Sequence, residues 1–164
     1  MSFGLSRGKK LEVGTVGISR DELPPFDPTG AVRLDPREWF EHPERPFDLE
    51  IGSGKGTFLI QQAELEPGTN FLGIEWTGEF YRYAADRIRR RQIGNVKVLW
   101  HDATEFITWW VPDACVRVLH LYFSDPWPKA RHHKRRVVQD ATLAQFHRVL
   151  VPQGELRLVT DHDD

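Results

Sequence analysis

The sequence predicts an α/β domain built on a doubly wound, mostly parallel sheet. Three observations carry this. From Pro46 onward short apolar runs take turns with helical patterns. The apolar runs are nearly continuous instead of alternating, as strands covered on both faces require. The chain has 164 residues, 40% of them hydrophobic, which suits one domain with its own core. Strand and helix in alternation give parallel βαβ units with helices on both sides of the sheet.

Taken in order, residues 1–46 hold six of the eleven prolines and no sustained period of either kind, so an irregular, partly mobile extension is expected there, with the folded domain over 47–164. The predicted strands are "PFDLEI", "FLGIE", "VKVLW", "VRVLHLYF" and "ELRLVT". Between them lie the helical patterns "TFLIQQAELE", "EFYRYAADRIRRR", "ATEFITWW" and "VVQDATLAQFHRVL". Phe80, Tyr83, Ala84 and Ile88 fall on one helical face, as do Val138, Leu143, Phe146 and Leu150 less strictly. There is no internal repeat and no low-complexity tract.

The formal charge of -2 hides a strong asymmetry: Lys129 to Arg136 carries five Lys/Arg and two His, and Arg82 to Arg91 carries five Arg. Cys115 is the single cysteine, which excludes an intrachain disulfide and points to a reducing compartment. No apolar run approaches the roughly 18 residues of a membrane span, and no signal-peptide core opens the chain. A soluble, cytoplasmic protein is expected.

Doubly wound sheets bind ligands beyond the carboxyl ends of their strands, which directs attention to the residues just after each apolar run. The first is followed by "EIGSGKG", with Glu50, Gly52, Gly54 and Gly56. Three alternate glycines free the turn of side chains and let backbone N–H groups approach a ligand at a helix N-terminus. It is neither common phosphate loop. The dinucleotide fingerprint needs Gly where Thr57 stands, and the Walker A pattern needs Gly at Leu49 and Ser or Thr at Gly56. Glu50 would repel a pyrophosphate but favour an ammonium or sulfonium; S-adenosylmethionine carries both. The alternative is a glycine turn serving only tight strand-to-helix packing.

Glu75 ends the second run, near the spacing at which an acid accepts from a ribose diol. After the third, Asp102 can accept from an adenine amino group, and Ala103 leaves room for the ring. Taken singly, Glu75 and Asp102 read as ordinary surface acids or helix N-caps; with Glu50 at the same sheet edge they favour a cofactor cleft. The fourth run enters Asp125-Pro126-Trp127-Pro128, where two prolines stiffen the turn. The basic run that follows suits a polyanion such as a nucleic acid backbone. No Cys/His cluster suggests a metal. The fifth run ends in Thr160 and Asp161, a polar pair at the same edge. The arginines of the second helix are expected on its exposed side.

The segments "DLEIGSGKG", "GIE", "HDA", "YFSDPWPKARHHKRR" and "VTDH" resemble, in order and spacing, the tRNA (guanine-N7)-methyltransferase family, a class of S-adenosylmethionine-dependent enzymes with a Rossmann-like fold. The match spans roughly Phe47 to His162, and the DPWPK element is its most specific part. The resemblance implies a methyl transfer from S-adenosylmethionine to N7 of guanine 46 in tRNA. It implies that Glu50, Glu75, Asp102 and Asp125 contact the cofactor beside the glycines and Ala103, and that Asp125 is catalytic. Lys129, Thr160 and Asp161 would then engage the substrate, with Arg131, His132, His133, Lys134, Arg135 and Arg136 on RNA. Ser124 and Ala130 replace a proline and a basic residue common in relatives. The family's further strands and its Thr-x-x-Glu element have no counterpart up to Asp164, so a sheet without its C-terminal strands is expected, its open edge able to self-associate or receive a second subunit.

Guanine N7 offers an in-plane lone pair and no proton, so the reaction calls for alignment more than for a general base. Two other readings remain open from sequence: a cofactor- or RNA-binding module without turnover, a fragment needing a partner included, and an RNA methyltransferase acting on an exocyclic amine.

Overall fold

The computed structural model describes residues 8–124 and 136–161. Six strands form one sheet in which every pairing is parallel: β1 (Gly17–Ser19), β2 (Phe47–Ile51), β3 (Asn70–Glu75), β4 (Val96–Trp100), β5 (Val116–Tyr122) and β6 (Leu150–Val159), in the order β1-β4-β3-β2-β5-β6. The helices are α1 (Thr57–Leu65), α2 (Gly78–Arg90), α3 (Ala103–Trp109) and α4 (Asp140–Val149).

Two cores explain the continuous apolar strands. On one side Leu59, Ile60 and Ala63 of α1 and Tyr81, Ala84, Ala85 and Ile88 of α2 pack with Phe71, Val96 and Val98 of the sheet. On the other, Phe106 and Ile107 of α3 and Phe146 and Val149 of α4 pack with Leu49, Ile51, Leu72, Leu99, Leu119 and Leu121. Neighbours such as Phe71 and Leu72, or Val98 and Leu99, therefore serve opposite layers, so both faces of these strands are largely apolar. This is the expected doubly wound fold. The helical faces are turned slightly from the expected ones: Tyr81 and Ala85 are buried where Phe80 and Tyr83 are half-buried, and Val149 is buried where Val138 and Leu143 are exposed.

The main difference lies before Phe47. The described residues from Gly8 onward are integrated with the domain: β1 pairs with β4, placing Gly17 opposite Val98 and Ser19 opposite Trp100. Further along, Leu34 N donates to Trp110 O at 2.9 Å, Trp110 Nε1 donates to Pro24 O at 3.1 Å, and Phe40 is buried against Phe47. A three-residue strand has no period to read, and tertiary pairing alone defines it.

The sheet order places the site. β2 has β3 on one side and β5 on the other, and the winding changes direction there, so its carboxyl end opens into a crevice between helix layers.

Candidate functional site

That crevice holds a cleft of about 390 Å³, lined by the ends of β2 to β5: Ile51 and Gly52, Ile74 to Trp76, Asp102 and Ala103, and Leu121 to Ser124, with His101, Thr104 and Val137 completing it.

The glycine loop shapes its floor. Gly52, Gly54 and Gly56 all have positive φ, at 73°, 54° and 73°, which strongly favours glycine. A Cβ at Gly52 or Gly54 would meet nothing within 4 Å, whereas one at Gly56 would come within 3.1 Å of the Ala84 Cβ on α2. The loop therefore leaves open space where a ligand would lie and closes tightly on α2 behind it. Its N–H groups differ from the sequence expectation, because they are spent inside the protein: Gly52 N donates to Ile74 O at 2.9 Å, Gly54 N to Glu75 Oε2 at 2.7 Å, and Gly56 N to Ser53 O at 2.9 Å. The turn supplies room and curvature; it is not an anion nest.

Glu50 lies in β2, 5% exposed, and its Oε2 has no hydrogen-bond partner among the described residues; the same holds for Ser53 Oγ. Burial, reinforced by the neighbouring Glu75 carboxylate, pushes the Glu50 carboxyl up to about 8. An unpartnered buried acid is costly unless a cation or N–H group completes it. Glu75 is occupied: besides Gly54 N, its Oε1 accepts from Thr77 N at 2.8 Å, so one carboxylate fastens the glycine loop to the β3–α2 turn. Asp102 caps α3, its Oδ1 accepting from Glu105 N at 2.8 Å and Thr104 Oγ1 at 2.7 Å. Its Oδ2 makes no hydrogen bond among the described residues, so capping and ligand binding can share the group. Ala103 lies on the wall, as expected.

Thr160 and Asp161 follow β6 at the same sheet edge, next to Phe123, whose N–H donates to Val159 O at 2.8 Å, but neither lines the cleft. Asp125, Lys129, Arg131, His132, His133, Lys134 and Arg135 lie outside the described residues; Arg136 is within them and half-buried. The arginines of α2 and its C-cap Arg91 are structural in part. Arg89 and Arg90 pair with the buried Asp86 at 2.9 Å each, Arg91 reaches Glu64, and Arg87 donates to Thr57 Oγ1. No group of three or more His, Cys, Asp or Glu able to hold a metal occurs among the described residues.

Sequence reasoning missed a polar chain behind the cleft. Asp48 on β2, 1% exposed, receives two hydrogen bonds of 2.8 Å from Arg117, which also reaches Glu66. Burial opposes ionisation of Asp48, but the hydrogen bonds from Arg117 and His120 outweigh it and hold the carboxyl below its usual range. His120 lies 3.3 Å from Asp48 Oδ2 and 2.8 Å from the hydroxyl of Tyr122, which lines the cleft. Inside "VRVLHLYF" a histidine and a tyrosine read as strand formers; nothing in one strand reveals its neighbour's acid. Trp76, 66% exposed, was also missed, and lines the rim with its carbonyl accepting from Trp100 Nε1 at 3.0 Å.

Comparison with known proteins decides the family. The model of the family described as "Putative methyltransferase" matches residues 44–164. The chain belongs to this methyltransferase family. Relatives within reach of it carry the name tRNA (guanine-N(7)-)-methyltransferase, in agreement with the motif resemblance. One from Nitrobacter hamburgensis is 39% identical over 99% of this chain and 64% of its own length. One from Corynebacterium diphtheriae is 39% identical over 80% of this chain and 51% of its own. The chain thus spans just under two thirds of the length of the Nitrobacter relative and about half of the Corynebacterium one. Among solved structures, the aminoglycoside resistance methyltransferase NpmB1 superposes with a TM-score of 0.58 at 21% identity over 80% of this chain and 68% of its own. An S-adenosylmethionine-dependent methyltransferase from Aquifex aeolicus gives 0.55 at 18% over 73% and 60%. These two likenesses support the Rossmann-like fold that the family resemblance implied.

Proposed function

We propose that this chain is the donor-binding and methyl-transferring portion of a tRNA (guanine(46)-N7)-methyltransferase, with S-adenosylmethionine as cofactor. The observation that carries the reading is the cleft at the winding reversal, lined by Gly52, Glu75 and Asp102, next to a buried, unpartnered Glu50 that does not itself line it.

The residues present fit the cofactor. Its cations suit Glu50, the open side of the loop at Gly52 and Gly54 accommodates its amino-acid arm, and Glu75, the free Oδ2 of Asp102 and the small Ala103 offer acceptors and space for a nucleoside. When bound, S-adenosylmethionine supplies an electrophilic methyl group. The protein's contribution is alignment: a rim at Leu121 to Ser124 that delivers the chain to Asp125, whose carboxylate accepts from the N–H edge of the guanine as positive charge develops on the ring. The cationic residues Lys129 and Arg131 to Arg136 hold phosphates, and Thr160 and Asp161 engage the substrate. tRNA is the expected partner. No helix among the described residues is long and apolar enough to cross a membrane; we place the protein in the cytoplasm. Among the described residues β6 is the last strand of the sheet, and its exposed Leu158 and Val159 are the surface through which self-association or a second subunit would act.

The test is methyl incorporation into unmodified tRNA with mapping of the modified atom. Asp125→Ala should lower turnover and leave RNA affinity nearly unchanged, while neutralising Lys134, Arg135 and Arg136 should weaken RNA binding and flatten its salt dependence. Equal effects of the two changes on both quantities would remove the assigned division of labour, and absence of label at N7 would remove the reaction.

A further inference from the structure

The chain from Asp48 through His120 to Tyr122 ends at the cleft, and its hydrogen-bond directions can be worked out from the inside. Asp48 and His120 are buried, at 1% and 2% exposure, on the adjacent strands β2 and β5, where Glu50 lies in register with His120. A buried imidazole needs partners at both nitrogens. Nε2 lies 3.3 Å from Asp48 Oδ2, and Nδ1 lies 2.8 Å from the Tyr122 hydroxyl. Asp48 is an ionised carboxylate held by Arg117, and an ionised carboxylate only accepts. In the neutral ring Nε2 therefore carries the proton, Nδ1 has a lone pair, and the phenol O–H must donate inward to it.

The consequence falls on the outer side of the phenol. With its single proton committed to His120, the Tyr122 oxygen has only acceptor capacity left to offer. The ring is held in place: Phe58 of α1 packs at 4.9 Å from the His120 ring and 5.0 Å from the Tyr122 ring. Tyr122 lines the cleft at the end of the strand that leads into Asp125.

We propose that Tyr122 is a specificity-determining residue whose hydroxyl oxygen accepts an N–H from the molecule in the cleft, and that His120 and Asp48 are positioning residues that fix it as an acceptor. This rests on the methyl-transfer reading above. Two N–H donors meet there, the ammonium of the donor's amino-acid arm and the N–H edge of the acceptor purine. A carbonyl or phosphate oxygen presented to Tyr122 would find no proton and would be rejected.

The test uses the 164-residue chain and S-adenosylhomocysteine, which keeps the ammonium but cannot turn over. Tyr122→Phe retains the ring and its contact with Phe58 but removes the partner of the buried His120 Nδ1, so the thermal midpoint should fall modestly, and binding is measured well below it. If the ligand group is the ammonium, calorimetry should show about tenfold weaker binding of S-adenosylhomocysteine, as loss of one hydrogen bond to a charged donor predicts. If it is the purine edge, that affinity should stay and KM for tRNA should rise about tenfold. Either result supports the assignment and names its partner. Adding His120→Leu to Tyr122→Phe should weaken binding no further, because His120 acts through Tyr122; additive losses would make His120 merely structural and overturn its role. Wild-type binding with unchanged affinity and unchanged KM in Tyr122→Phe would overturn the proposal and leave the methyl-transfer reading standing. Failure of the wild-type chain to bind S-adenosylhomocysteine would overturn that reading, and the proposal with it.

Discussion

Glu50 gives the most exacting test of the site's electrostatics. Its carboxyl is pushed from 4.5 up to about 8, first by burial and then by Glu75, so the folded protein holds a proton that the unfolded chain releases. For a raised acid the folded state binds more protons between the two values, and stability must fall as pH rises through that window. A carboxyl that titrates near 4.5 in the unfolded chain and near 8 in the fold costs a few kcal/mol of stability between about pH 5 and pH 8. Glu50→Gln keeps the shape and removes the charge. Urea unfolding of both proteins across that range should show the wild type falling steadily below the variant, with the curves drawing together near pH 5. A difference that stays constant with pH would mean that Glu50 is ionised in the fold without penalty and has no need of a cation. The same variant should bind S-adenosylmethionine more weakly at pH 8 despite its greater stability, since the acceptor charge is gone.

The remaining predictions concern packing and capping. Gly73→Ala would place a Cβ 2.4 Å from Leu59 Cδ1 and 2.7 Å from Ser53 Cβ, so it should cost about 1–3 kcal/mol in denaturant unfolding through overpacking between β3 and α1. Asp102→Ser should keep the α3 cap and lower donor affinity, whereas Asp102→Ala should lower affinity and also cost about 1 kcal/mol of stability; equal affinity in all three would restrict Asp102 to capping. Arg117→Met should destabilise by about 2–3 kcal/mol near neutral pH by leaving Asp48 buried without its main donor, and because the Asp48 carboxyl is depressed, that deficit should shrink as pH falls through its folded value.

Much of the architecture was legible because the two sides of the sheet draw on adjacent residues of each strand, leaving apolar runs that only a doubly covered sheet explains. That Glu50, Glu75 and Asp102 lie at or next to strand ends was legible, since a strand's carboxyl end is visible as the place where an apolar run stops. What their partners would be was not visible. Glu75 is already engaged by two backbone N–H groups, and Asp102 is both cap and candidate acceptor, because turn geometry decides which lone pairs remain. β1 escaped because three residues carry no period, and the Asp48–His120–Tyr122 chain escaped because it crosses strands roughly seventy positions apart in sequence.

The double use of Glu75 has a further consequence for how a ligand is received. A nucleoside hydroxyl drawing on its oxygens competes with the amides of Gly54 and Thr77 for the same electron pairs, so tightening at the ribose is coupled to slackening, or to sharing, in two separate turns. Amide hydrogen exchange at Gly54 and Thr77 would then change together on saturation, a paired response from residues that have no other reason to move as one.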